Sequence, residues 1–138
     1  GYMFVAIKGN NTDGHDYIND AIEKGAKVVL IEEGCDLKKI KLVEGVTIIM
    51  APNTRVALAC VASNFYGNPT KKLKLIGITG TKGKTTTTYM IKDILERAGK
   101  KVGLIGTIGT FINGKKIIDN DRTTPESLEL QKIFAKSI

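Results

Sequence analysis

The stretch that decides the fold is Leu75-Ile76-Gly77-Ile78-Thr79-Gly80-Thr81-Lys82-Gly83-Lys84-Thr85-Thr86, an apolar segment that runs into a turn rich in glycine, threonine and lysine and then into a helical pattern. This order predicts a strand, a loop and a helix. Glycines let the backbone turn with its N–H groups pointing inward, and a helix opening near Lys84 aims its positive dipole end at the same place. Together they make a cradle for phosphate. Lys84 supplies a flexible point charge for the outer phosphates of a nucleotide, and the Thr85 hydroxyl takes one coordination position on Mg²⁺. The general G-x-x-x-x-G-K-[ST] spacing fails, because Ile78 stands five residues before Gly83. Strand-to-helix turns of this composition also occur without ligands.

Downstream, residues 84–98 read as a helix with Ile91, Ile94, Leu95 and Ala98 on one face and Gly99 as its stop. Residues 102–105 read as the next strand, so the strand-helix-strand crossover is expected to be parallel and right-handed. Asn113-Gly114, between Phe111-Ile112 and Ile117-Ile118, is a hairpin turn pair. A last helix is expected to begin near Pro125, with Thr124 as its cap. Upstream, residues 3–7, 28–31 and 46–50 read as strands. One helix there carries Ile18, Ala21 and Ile22, and another runs from 54 to about 66 with Asn53 as N-cap. The polar segment 67–72, with both Gly and Pro, separates two periodic regions. The expected class is α/β: a small α/β domain over residues 1–70, then the first part of a P-loop, mostly parallel-sheet ATPase domain over 71–138.

With 42% hydrophobic and 25% charged residues the composition is that of a globular chain rather than a disordered one. No apolar run approaches the roughly 18 residues of a membrane span, and no basic-then-apolar leader opens the chain. A cytoplasmic location with no membrane partner is expected. The formal charge of +7 suits a polyanion, but the lysine pairs at 38–39, 71–72, 100–101 and 115–116 are scattered and there is no Trp, so nucleic acid is not an expected partner. Cys35 and Cys60 lack disulfide or metal spacing and read as reduced thiols, Cys60 in the core. The chain starts at Gly1 rather than Met, and no later apolar strand closes in Asp or Glu after the phosphate loop. A fragment of a larger enzyme is expected.

The run Gly80-Thr81-Lys82-Gly83-Lys84-Thr85-Thr86 resembles the ATP loop of the Mur ligases and their folylpolyglutamate synthetase relatives. Phe4-Val5-Ala6-Ile7-Lys8-Gly9-Asn10-Asn11-Thr12-Asp13-Gly14-His15 resembles the first domain of MurE-type Mur ligases, where a strand ends in a glycine loop followed by D-G-H or D-G-R. Asp121-Arg122-Thr123-Thr124-Pro125-Glu126 is similar to their T-T-P stretch. These three matches come in the family's order and span nearly the whole chain.

The resemblance implies an ATP-dependent ligase that adds an amino acid to UDP-N-acetylmuramoyl-L-alanyl-D-glutamate for peptidoglycan, by way of an acyl phosphate. It implies ATP binding at Gly80, Thr81, Lys82, Gly83, Lys84, Thr85 and Thr86, with Lys84 as the catalytic group and Thr85 on Mg²⁺. It also implies uracil binding by Asn10, Asn11 and Thr12, and contact of Arg122, Thr123 and Thr124 with the UDP-muramoyl-peptide. On the residues alone, the Asn-rich loop reads first as a helix-start turn, and Thr124-Pro125-Glu126 as an ordinary helix start; the binding roles come from the resemblance. His15 is assigned no proton transfer, and Asp13 caps the turn. The amino acid added (lysine, diaminopimelate or another) and the oligomeric state stay open. The family's carbamylated lysine, further metal ligands and C-terminal domain have no counterpart in these 138 residues, so the chain alone is expected to be inactive. Two rivals share the phosphate loop: another Mur or folylpolyglutamate-type ligase, and a P-loop nucleotide switch.

Overall fold

The aliphatic run Val28-Val29-Leu30-Ile31 forms the middle of a three-stranded parallel sheet. The computed structural model describes residues 1–118 and 124–138; these fall into two units, Gly1–Val61 and Ala62–Ile138. In the first, β1 (Tyr2–Val5), β2 (Ala26–Glu32) and β3 (Thr47–Ala51) lie in that order, with Phe4 opposite Val29 and Val29 opposite Ile48. Helix α1 (Ile18–Glu23) makes the first crossover and buries Ile18, Ala21 and Ile22, as their spacing predicts. Val29 and Ile31 are 0% exposed and join the core around these residues, while Leu30, whose side chain points to the opposite sheet face, is 3% exposed. Burial on both faces is what a parallel strand requires. Helix α2 (Thr54–Phe65) opens with the expected cap, the Val56 N–H donating to Asn53 Oδ1 at 3.0 Å.

The end of β1 turns back sharply. The Gly14 N–H donates to the Ile7 carbonyl at 2.9 Å, and a Cβ on Gly14 would stand 2.6 Å from the Ile7 nitrogen and 2.8 Å from its oxygen. Only glycine permits that approach.

In the second unit, α3 (Lys84–Arg97) ends as the sequence predicts. Gly99 sits at φ +74°, its N–H donates to the Glu96 carbonyl, and the Lys100 N–H donates to that of Leu95, both at 2.9 Å. This is a Schellman closure. Strands β4 (Gly103–Gly106), β5 (Gly109–Ile112) and β6 (Lys115–Ile118) form an antiparallel sheet. Asn113 and Gly114 make the predicted turn with φ of 49° and 76°, as a type I′ turn requires.

Several expectations are corrected. The α/β class stands, but residues 75–79 join no ladder among the described residues, so the parallel crossover to β4 is not formed. The reason is local. β4 takes β5 on one edge through the two residues Thr107 and Ile108; a parallel ladder with 75–79 on the other edge is weaker per residue and needs cover on both faces, which that exposed segment lacks. Leu75 and Ile76 are accordingly 54% and 61% exposed, and Ile94, expected on the buried face of α3, is 65% exposed. Helix α4 (Ser127–Lys136) starts later than expected: its N-cap is Glu126, whose carbonyl accepts from the Leu130 N–H at 2.9 Å, and Thr124 stands off the helix. Cys60 is exposed rather than core, because α2 buries Thr54 and Ala62 and turns Cys60 to the other side with Val56. Among the described residues no helix is long and apolar enough to cross a membrane.

Two outcomes follow. Gly14→Ala is expected to destabilise the protein by about 1–3 kcal/mol through the clash with Ile7, read from the urea midpoint. Alkylation followed by mass spectrometry should modify exposed Cys60 well before Cys35, whose thiol is pushed up by burial and by the charges of Asp13 and Asp36.

Candidate functional site

The phosphate loop takes its shape from two glycines. Gly80 has φ +153°, and Gly83, the N-cap of α3, has φ +79° and ψ −5°, a left-handed conformation that favours glycine. Gly83 brings no side chain to cap the helix. The first helical bond runs from the Thr87 N–H to the Gly83 carbonyl at 2.9 Å, so the N–H groups of Lys84, Thr85 and Thr86 are left over at the positive end of a 14-residue helix. That is an anion site in waiting.

Lys84 and Thr85 stand at this end. The Lys84 Nζ donates to the Gly80 carbonyl at 2.6 Å, which folds the ammonium back across the loop. The Thr88 hydroxyl donates to the Thr85 carbonyl at 2.7 Å, leaving the Thr85 hydroxyl outside that bond. A cavity of about 80 Å³ opens beside them, lined by Ile78, Lys84, Thr85, Thr88, Tyr89, residues 104–108 and Thr124. Its size suits one phosphoryl group rather than a whole nucleotide. Tyr89 is held by an edge-on contact with Phe111, ring centroids 6.1 Å apart, which ties α3 to β5. Thr81, Lys82, Gly83 and Thr86 are exposed around the loop and do not line the cavity. Among the described residues no cluster of three or more His, Cys, Asp or Glu offers a ready-made metal site. Mg²⁺ here would rest on the Thr85 hydroxyl, phosphate oxygens and water, a donor set that suits a hard cation which keeps its waters.

Asn10, Asn11 and Thr12 are exposed on the loop that follows β1 in the first unit. Lys8 and Asp13 bridge across its base, and the Gly9 N–H donates to the Thr12 carbonyl at 2.9 Å. The Asp13 Oδ1 accepts from the His15 N–H at 3.0 Å, the cap expected of it. Arg122 and Thr123 lie outside the described residues.

Two features escaped the sequence reading. Tyr89 and the segment 104–108 line the cavity although neither belongs to the phosphate-loop pattern; small residues after a strand, Gly106-Thr107, were the available signal. His15 lies 2.6 Å from Asp13 through Nδ1, and its Nε2 accepts from the Glu32 N–H at 3.0 Å. Glu32 in turn takes the Thr54 N–H and hydroxyl on Oε2, each at 3.4 Å. The signal there was that this is the chain's single histidine.

With this geometry in place, two family profiles match: one described as "Mur ligase middle domain" over residues 78–137 and one described as "Mur ligase family, catalytic domain" over residues 1–66. The chain belongs to the Mur ligase family. Among curated relatives of this Mur ligase chain is a UDP-N-acetylmuramoyl-L-alanyl-D-glutamate--2,6-diaminopimelate ligase of Clostridium botulinum, 55% identical over 134 residues, which are 97% of this chain and 27% of the relative. The similarly named ligase of Clostridium tetani is 56% identical over 132 residues, 96% of this chain and 27% of the relative. That of Clostridium perfringens is 51% identical over 138 residues, 100% of this chain and 27% of the relative. The chain thus spans about a quarter of the length of these relatives.

The His15 backbone N–H, and after it the His15 ring, hold the Asp13 carboxyl below its ordinary range. A carboxyl so lowered adds stability at pH above the ordinary carboxylate value near ~4, and that stability is lost as pH falls through the lower folded value. The urea midpoint should therefore drop on acidification below about pH 4, and Asp13→Asn should flatten that acid limb.

Proposed function

We propose that this chain supplies the ATP-phosphate and nucleotide-sugar sites of a cytoplasmic ligase that joins 2,6-diaminopimelate, the amino acid in the relatives' names, to UDP-N-acetylmuramoyl-L-alanyl-D-glutamate. One observation carries the reading: the first N–H groups of α3 have no partner within the helix, and its first two residues, Lys84 and Thr85, line a cavity of about 80 Å³. ATP would pass its outer phosphoryl group to the substrate carboxylate and leave as ADP; the amine would then attack the acyl carbon, lose a proton and expel inorganic phosphate as the amide bond forms.

The residues of the chain do electrostatic work. N–H groups at 84–86 stabilise the charge of the outer phosphate, and Lys84, released from the Gly80 carbonyl, follows the charge as it moves onto the transferring group. The Thr85 hydroxyl would hold one position on Mg²⁺, which would supply charge neutralisation at the phosphates. Thr124, left off α4 and facing the same cavity, donates its hydroxyl to the acceptor carboxylate or a phosphate oxygen. In the first unit, Asn10, Asn11 and Thr12 meet the donor and acceptor edge of uracil with neutral groups, which avoids stripping water from a charge. Arg122 and Thr123 are assigned to the muramoyl-peptide, and the working domains are residues 1–70 and 71–138; the profile matches at 1–66 and 78–137 support that division.

The test is phosphate release in a chain of the relatives' full length carrying this sequence, with ATP, Mg²⁺, the UDP-dipeptide and either diaminopimelate or lysine. Lys84→Ala is expected to lower kcat by at least about a hundredfold, as when a single preorganised charge-stabilising donor is removed. Activity within about threefold of the parent would overturn the role of Lys84, and equal turnover with lysine would overturn the choice of amino acid.

A further inference from the structure

We propose that His15 is a positioning residue: it ties the loop carrying Asn10, Asn11 and Thr12 to the end of β2, and it does so only as the neutral ring protonated on Nδ1. The Glu32 N–H can only donate, and it reaches His15 Nε2 at 3.0 Å, so that nitrogen must offer a lone pair. The proton then sits on Nδ1 and is donated to the Asp13 carboxylate at 2.6 Å. Each ring nitrogen thus has one partner and one fixed role, and the side chain is only 14% exposed. The two partners belong to different segments. Asp13 closes the base of the loop through its bridge to Lys8, while Glu32 is the last residue of β2 and receives the first residue of α2, Thr54, on its carboxylate. One imidazole therefore joins the loop after β1 to the strand on which α2 is seated.

The groups around the ring allow the tie in one tautomer only. Asp13 faces the ring from its own loop, with Lys8 behind it; Glu32 faces it from β2, with its carboxylate turned to Thr54; Cys35, beyond β2, lies within range of the Asp13 charge. From α2, Arg55 reaches the Lys8 carbonyl at 3.5 Å. A doubly protonated ring keeps Asp13 but presents an N–H to the Glu32 N–H, so the tie to β2 breaks while the contact within the loop remains.

That the loop meets uracil rests on the function proposed above; the tautomer and the tie do not. The test uses the 138-residue chain and uridine diphosphate as probe. Long-range proton–nitrogen NMR on the single histidine is expected to show the proton on Nδ1, and His15→Ala should speed exchange of the Glu32 amide. Uridine diphosphate affinity should fall roughly five- to tenfold in His15→Ala, the loss expected for one such hydrogen bond. His15→Gln, whose amide oxygen can still accept from Glu32, should stay within about threefold. A proton on Nε2 overturns the proposal, as does parental affinity in His15→Ala. If the parent itself does not bind uridine diphosphate, the uracil reading falls, and the tautomer together with Glu32 amide exchange decides the tie by itself.

Discussion

A helix cannot bond its own first N–H groups, and the second unit is organised around leaving them free. At Gly83 the chain passes into α3 through a left-handed residue that carries no side chain. A Ser, Thr or Asp at an N-cap would accept from the second or third helical N–H and stabilise the helix by about 1 kcal/mol. It would also occupy the donors that an anion needs. The surrounding parts keep the opening defined: the Schellman closure at Gly99 fixes the far end of α3, and the Tyr89–Phe111 contact holds the helix against β5. The short turn at Thr107 and Ile108 places the end of β4 along the cavity.

The first unit follows the older logic of open α/β sheets, in which ligands meet the loops at the carboxyl ends of the strands. The loop of Asn10, Asn11 and Thr12 follows β1, and Asn53, the cap of α2, follows β3. Glu32, at the end of the central strand, touches both neighbours: its N–H goes to His15 and its carboxylate to Thr54. The side chains proposed as recognition groups are thus carried on a turn whose base is fastened to the sheet.

What could be read from the residues was what local chemistry dictates. Asn53 capped its helix, Asn113-Gly114 made its turn, Gly99 stopped α3, and Ile18, Ala21 and Ile22 were buried. Each depends on residues a few positions apart. The errors arose where a distant partner decides. Residues 75–79 have the composition of a strand, yet composition does not say whether a partner and cover on both faces are in place, and Leu75 and Ile76 stay exposed. Cys60 obeys a helical spacing, but which side of α2 is buried depends on what α2 packs against. Thr124-Pro125 reads as a helix start, while the backbone delays α4 to Ser127 and leaves the threonine beside the cavity. In the candidate site the phosphate loop was legible because its glycines act on their own backbone. Tyr89 and the 104–108 segment were not, since they arrive from other elements.

The bond from the Lys84 Nζ to the Gly80 carbonyl has a consequence for how an anion is received. A lysine side chain carries up to about 2 kcal/mol of rotamer entropy, which a freely swinging ammonium would surrender on meeting its ligand. Here much of that freedom is already given up to the Gly80 carbonyl. On the function proposed above, an incoming phosphate would exchange one oxygen partner for another, so discrimination would fall on charge: a neutral or singly charged oxygen would gain little over the carbonyl already in place, and a polyphosphate a great deal.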